Sequence, residues 1–231
     1  CLKYGGAHGI GGAHNKNITV TNCELGWIGG SIQNGETRYG NAIEIWGSCD
    51  GFLVQNNYIY QIYDTGITNQ FTGPNPDGPI IMQNMTYKEN LIEYCCSSIE
   101  YFLAQSDSDK AMYKNFLVEG NIMRYAGYGF GKQRTNKTNV YHIAGFTGTN
   151  VSENFVIKNN IFDHSKYNIA DCRASAESYM PKMSGNTYIQ TAGSLFGIWY
   201  DTNKRIMYKK GQIEEFIKSI DDNPTVLYRE K

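Results

Sequence analysis

Apolar and polar positions along this chain repeat on two scales. Over short stretches apolar residues alternate with polar ones, the period-2 signature of half-buried strands. Over longer distances one pattern recurs: Asn or Gly, apolar, any, apolar, any, any, Asn, then an apolar pair. It reads as Gly51–Ile59, Asn84–Ile92, Asn115–Met123 and Asn154–Phe162, with a weaker copy at Met180–Tyr188. An earlier copy from Asn17 carries Cys23 at the second Asn position. The starts at 17, 51, 84, 115, 154 and 180 are separated by 34, 33, 31, 39 and 26 residues.

Each unit holds more than its first strand. A second apolar marker follows the recurring Asn by 9 or 10 residues: Ile67, Ile99, Phe130, Ile169 and Phe196. In the first unit the equivalent is Ile43, with the additional residues forming a loop within Gly29–Tyr39. A period of strand, corner, short strand, turn and third strand is one coil of a solenoid, and stacking coils buries a core that no single repeat could bury. An antiparallel sandwich would not hold one Asn in register across successive units. Asn suits the corner because it tolerates left-handed backbone, and its amide can bond the equivalent Asn of the next coil. Alternation points Phe52/Val54, Phe116/Val118 and Phe155/Ile157 inward.

These Asn-centred repeats from Asn17 to Trp199, with the segment Tyr58–Ile67, resemble the right-handed parallel β-helix proteins of the pectate-lyase-like superfamily. The resemblance implies an all-β, right-handed parallel β-helix solenoid. It is specific for fold and not for activity, since that superfamily includes polysaccharide lyases, glycoside hydrolases, epimerases, phage tailspikes and non-catalytic adhesins. It also implies an exported bacterial protein, extracellular or periplasmic.

The two ends depart from the coils. Gly5–Gly12 looks like the close of a preceding coil, so an N-terminal part is expected to be missing. The solenoid, about six coils, is expected over residues 1–203, with a C-terminal cap over 204–231. Within that cap Ile213, Phe216, Ile217 and Ile220 share one helical face, which predicts a short capping helix near 212–221.

Composition narrows the class. There are 21 Lys and Arg against 22 Asp and Glu, a net charge of −1, which argues against a nucleic-acid partner held by phosphate neutralisation. No apolar run is long enough to span a bilayer, so no membrane partner is expected. The 25 Gly and 23 Asn against 5 Pro fit many tight turns. Six cysteines without a CxxC pair read as small core residues rather than disulfides or a zinc site. A monomer is expected.

Candidate chemistry lies on the third strands. If each marker faces inward, the following residue faces outward, placing Glu44, Thr68 and Glu100 in one column, with the two Glu roughly 9–10 Å apart. Asp64 has the same outward parity. Glu44, Asp64 and Glu100 are the candidate acid, base or nucleophile, since paired carboxyls hydrolyse glycosides at separations of about 5–9.5 Å. Trp46, Thr68, Asn69, Gln70 and Phe102 are the candidate sugar-positioning residues, although alternation turns Asn69 inward. Lys132, Arg134 and His142 would serve a lyase, as cations for a uronate carboxylate and as the base. The expected partner is therefore a polysaccharide or oligosaccharide, and the leading expectation is a glycoside hydrolase. A polysaccharide lyase and a non-catalytic carbohydrate-binding β-helix are the alternatives. No metal site or cofactor is expected, save Ca²⁺ for a lyase, for which the loop Ser106–Asp109 lacks the density of carboxylate ligands. His8 and His14 read as polar turn residues, and Gly127–Lys132 as strand rather than a phosphate loop. The NxS/T sites at Asn17, Asn84, Asn136 and Asn150 matter only in a eukaryotic secretory pathway.

Overall fold

The computed structural model describes residues 1–73, 75, 77–104, 111–134, 140–145, 151–200, 206–208 and 212–230, with backbone alone at 104, 131, 133 and 206–208. The chain winds as a parallel β-helix of three faces. The first face stacks Leu2–Lys3, Glu24–Ile28, Tyr58–Ile62, Leu91–Glu93, Ile122–Arg124, Ile161–Asp163, Thr187–Thr191 and Thr225–Arg229. The second runs from Ile43–Trp46 through Thr65–Thr72, Ser97–Ala104, Ile143–Gly145 and Asn168–Cys172 to Ser194–Trp199. The third stacks the end of Ile10–Thr21 on Cys49–Gln55, Ile81–Lys88, Met112–Glu119, Ser152–Lys158, Lys182–Ser184 and Asp221–Asp222. Among the described residues only two pairings are antiparallel, Ser194–Trp199 with Ile206–Tyr208 and the hairpin Ile32–Gln33/Glu36–Thr37.

The recurring Asn forms the single column that the repeat implied. The Oδ1 of Asn90 accepts from both the backbone N–H (3.0 Å) and the Nδ2 (2.9 Å) of Asn57 one coil earlier. Its own Nδ2 donates to Val54 O (3.0 Å) and to Asn121 Oδ1 (2.9 Å). The same four-bond unit repeats at Asn121 and Asn160, and all four bonds recur at Asn186 as well. Only a short amide offers two acceptor sites and two donors at that reach, so the side-chain oxygen and nitrogen of each of these four Asn are satisfied. The column ends on Asp221, whose Oδ2 accepts from Asn186 Nδ2 at 2.7 Å and from the Tyr188 hydroxyl at 2.7 Å. A last rung needs only an acceptor, and a carboxylate supplies one.

The left-handed residue of the corner is not the ladder Asn, as the repeat suggested, but the residue before it. Asn22, Asn56, Glu89, Gly120, Asn159 and Gly185 have φ between 54° and 66°. The first position of the repeat is left-handed too: Asn17, Gly51, Asn84, Asn115 and Asn154 have φ of 54°, 80°, 55°, 52° and 54°. Their exposed amides form a second, shorter ladder, Asn154 to Asn115 at 3.0 Å and Asn115 to Asn84 at 3.1 Å. Gly51, left-handed at φ of 80°, has no amide and interrupts it.

Inside, alternation behaves as expected. Phe52, Met85, Phe116 and Phe155 share one register column and are buried, and the Phe116 and Phe155 rings stack at 4.4 Å. Truncating such a ring to Ala typically costs about 3–5 kcal/mol, so this column is a large share of the stabilisation. Cys49, Cys95, Cys96 and Cys172 are buried and form no disulfide, as core residues should. The C-terminal helix is Gln212–Ile220. Its Ile213 and Ile217 are buried, and Phe216 meets Phe196 at 5.1 Å, which closes the end of the core. Asp221–Asp222 and Thr225–Arg229 then add a final rung.

Three markers are corrected: the column of Ile43, Ile67, Ile99 and Ile143 continues through Ala170 and Gly197, one residue beyond Ile169 and Phe196, and Phe130 lies outside it altogether. Phe130 is not a core strand residue; Phe130–Gln133 is a short 3₁₀ turn, and the second-face strand of that coil is Ile143–Gly145. The segment Gly127–Lys132 therefore leaves the strand register instead of following it. Phe130 packs against Trp27 at 6.0 Å and Tyr63 at 5.2 Å, and its N–H donates to Gln61 Oε1 at 2.6 Å.

Candidate functional site

Parallel register on the second face aligns Glu44 with Thr68 and Thr68 with Glu100. The outward column inferred from alternation therefore exists, with Ala144 and Asp171 continuing it. It is not the open groove that was expected. Thr68 is fully buried, Glu100 is 5% exposed and Phe102 is 8% exposed. Trp46 is half-buried with its ring 5.6 Å from Phe71. Asn69 points inward, as its parity required, and its Nδ2 contacts Met85 Sδ at 3.4 Å.

A cleft of about 560 Å³ opens at the Glu44 end of this column, lined by Ala7, His8, Gln33, Glu36, Thr37, Arg38, Tyr39, Asn41, Asp64 and Gln70. Three elements build it. The second-face strands present Gln70, which is bonded to Glu44. The turn before Thr65 presents Asp64. The loop between Ile28 and Asn41, with its hairpin Ile32–Thr37, forms the wall.

Glu44 is the most heavily partnered group there. Asn41 Nδ2 donates to its Oε2 at 3.0 Å and Gln70 Nε2 to its Oε1 at 3.1 Å. His8 Nδ1 is in direct contact with Oε2. Partial burial pushes the Glu44 carboxyl up, but the His8, Asn41 and Gln70 bonds outweigh it and hold the group below the usual carboxylate range. The same bond to Glu44 raises His8 above the ordinary imidazole value against its partial burial, and Asp64 adds to the rise. Asp64 is ion-paired with Arg134, whose guanidinium also lies over the Tyr39 ring at 4.2 Å. One cation thus ties the turn carrying Asp64 to the wall of the cleft.

Of the residues named from sequence, the structure gathers Glu44, Asp64, Gln70 and Arg134 around this cleft. Thr68 and Glu100 follow Glu44 along the column but are covered. Lys132 is exposed on the 3₁₀ turn, which precedes the second-face strand of its coil instead of following it. His142 is removed from any surface: it is fully buried, shares a hydrogen bond of 3.2 Å with Ser98, and burial pushes it down to about 3. Ser106–Asp109, Asn136 and Asn150 lie outside the described residues. Among the described residues no cluster of His, Cys, Asp and Glu could hold a metal ion. Sequence reasoning missed His8, Arg38 and Asn41. His8 is 36 residues from Glu44, about one repeat, a distance that the coil period itself could have flagged.

No protein-family model matches the chain, and neither a curated protein nor a solved structure matches it significantly. The structure itself defines the class, an all-β parallel solenoid closed at its C-terminal end by a helix.

Proposed function

We propose that this is a carbohydrate-active β-helix of the pectate-lyase-like kind, a glycoside hydrolase whose oligosaccharide substrate lies in the cleft beside Glu44 and Asp64. The observation that carries this reading is the convergence on a single cleft of the Glu36 and Asp64 carboxylates, the Gln33, Asn41 and Gln70 amides and the Tyr39 ring, with Glu44 bonded to Asn41 and Gln70 beside it. Amides and carboxylates bond sugar hydroxyls, an aromatic ring covers a sugar face, and a carboxylate activates the attacking water. The elimination alternative is weaker because its candidate base, His142, is buried away from substrate, and Arg134 is already engaged by Asp64. Secretion of the protein belongs to the same proposal.

The test is a panel of neutral and acidic oligosaccharides incubated with the wild type and with Asp64→Asn. Hydrolysis would release new reducing ends without an unsaturated product, and Asp64→Asn would abolish the release. Ultraviolet absorbance from a newly formed double bond would replace this reading with elimination. Binding without turnover would establish a carbohydrate-binding scaffold instead.

A further inference from the structure

The carboxylates of the cleft leave one chemical role unfilled. Glycoside hydrolysis requires a proton for the departing oxygen as well as a base for water. Glu44 is held below the usual carboxylate range, and Asp64 is paired with a guanidinium, so neither is a standing proton donor at neutral pH. The contacts of His8 supply the missing group.

His8 Nδ1 stands within reach of two groups, Glu44 Oε2 and the backbone N–H of Asn41 at 3.2 Å. These contacts make opposite demands on Nδ1, which must donate to the first and accept from the second. A charge-assisted bond donated to a carboxylate is about twice as strong as a neutral one accepted from a backbone N–H, so the Glu44 contact prevails. Nδ1 therefore carries hydrogen and donates to Glu44. That bond fixes the ring orientation and turns the chemistry over to Nε2. The His8 side chain is 46% exposed and lines the cleft, and no described residue bonds Nε2. A carboxylate on one imidazole nitrogen with the other free in a cleft is the arrangement by which enzymes hold a histidine for proton transfer.

We propose that His8 Nε2 is the proton donor to the leaving group and that Glu44 is its positioning residue; this rests on the hydrolase reading above. In the step, the bond between the anomeric carbon and the glycosidic oxygen breaks, and its electron pair goes to that oxygen. The oxygen takes the Nε2 proton of the imidazolium. Water forms the new bond to the anomeric carbon, and its proton passes to the Asp64 carboxylate. The charged groups acting on His8 are Glu44 from the second-face strand, Asp64 from the turn before Thr65, and Arg38 from the cleft wall. The two acids favour the imidazolium and Arg38 opposes it.

The experiment compares wild type, His8→Asn and Glu44→Gln on natural oligosaccharides and on matching 2,4-dinitrophenyl glycosides, whose leaving group departs without a proton. His8→Asn should lose about 10²–10⁴-fold in kcat on the natural substrates, the usual worth of general acid catalysis. It should lose far less on the dinitrophenyl glycosides. Glu44→Gln should move the alkaline limb of the kcat/KM profile to lower pH, with the same displacement in the His8 imidazole titration followed by NMR. Equal losses on both substrate types, or an unmoved alkaline limb, overturn the donor role and leave the hydrolase reading standing. A wild type that cleaves nothing overturns both.

Discussion

Asn90 and Asn121, 31 positions apart, bond amide to amide at 2.9 Å in the buried corner of successive coils. The Asn121 amide makes four bonds and is fully buried. Replacing Asn121 by Ala would strip Tyr87 O, Asn160 Oδ1 and the Asn90 N–H and Nδ2 of a partner at once. With each buried unsatisfied group costing about 1–3 kcal/mol, a loss of about 3 kcal/mol or more is expected, read as a fall in the denaturant midpoint. Asn121→Asp should be no better, because an oxygen would replace the donor facing Tyr87 O. Asp221→Asn, by contrast, should change stability by less than about 1 kcal/mol, since an amide oxygen can accept from Asn186 and Tyr188 as the carboxylate does. Equal losses at Asn121 and Asp221 would refute the ladder account.

The outer row behaves by a different rule. Asn115 is exposed and left-handed, with φ of 52°. Its side-chain bonds to Asn84 and Asn154 compete with water and contribute little. Its backbone is what matters. Asn115→Gly should therefore be tolerated within about 0.5 kcal/mol, and Asn115→Val should cost about 1–2 kcal/mol through the left-handed penalty of a β-branched residue. Thermal or denaturant unfolding of the two variants distinguishes backbone strain from a lost amide ladder.

These two rows explain what the amino-acid order makes legible. A corner amide must recur once per coil because its partners lie in the adjacent coils, so Asn57, Asn90, Asn121 and Asn160 stand out by spacing alone. The left-handed positions are also periodic, but Asn, Glu and Gly share them, so the residue type dilutes the signal. Phe130 misleads for another reason. It falls 9 residues beyond Asn121, the spacing of a strand marker, while the true strand residue Ile143 falls 22 beyond. An excursion enters the fourth coil at the place where the first coil has its own, and an apolar ring that packs outside the solenoid looks like one packed within. The carboxylate column was legible by parity, but its burial was not, since alternation gives the direction of a side chain and not what covers it. The Glu44–His8 contact joins adjacent coils through a Gly-rich stretch with no alternation to follow.

Two histidines should give stability opposite dependences on pH. His142 is held neutral by burial, with its folded value at about 3 against about 6.5 in an unfolded chain. Its contribution is fully present above about pH 6.5 and is lost as pH falls, because the unfolded chain takes up a proton that the folded one refuses. The expected slope is about 1.4 kcal/mol per pH unit for one proton between pH 6 and 4, and His142→Asn should remove that much of the acid dependence. His8 has the reverse sign. Its raised value means that the Glu44 bond stabilises below the ordinary imidazole value and fades as pH rises through the folded one. Denaturant midpoints of each variant against pH test both signs, and a His142→Asn curve parallel to wild type would contradict the first.

The ion pair of Asp64 with Arg134 joins segments 70 positions apart, and the guanidinium also covers Tyr39 at the foot of the hairpin wall. Asp64 and Arg134 side chains are only 15% and 9% exposed, so the pair is shielded from water more than an ordinary surface bridge. Arg134→Met would remove the guanidinium from the largely shielded carboxylate while keeping apolar cover over Tyr39. The expected cost is about 1–3 kcal/mol, less than for a fully buried pair because solvent still reaches Asp64. Adding Asp64→Leu should recover most of it, a coupling that a double-mutant cycle measures. The wall itself should loosen locally. Its backbone is held by Arg38 N–H to Ser31 O at 2.7 Å and Gly30 N–H to Arg38 O at 2.8 Å, bonds that open when the hairpin lifts. Trypsin cutting after Arg38 reports that opening directly, since cleavage under native conditions follows the population of the open form. Cleavage should quicken several-fold in Arg134→Met and stay quick in the double variant, which puts no guanidinium back over Tyr39. An unchanged rate in the single variant would mean that the Tyr39 contact does not fasten the wall.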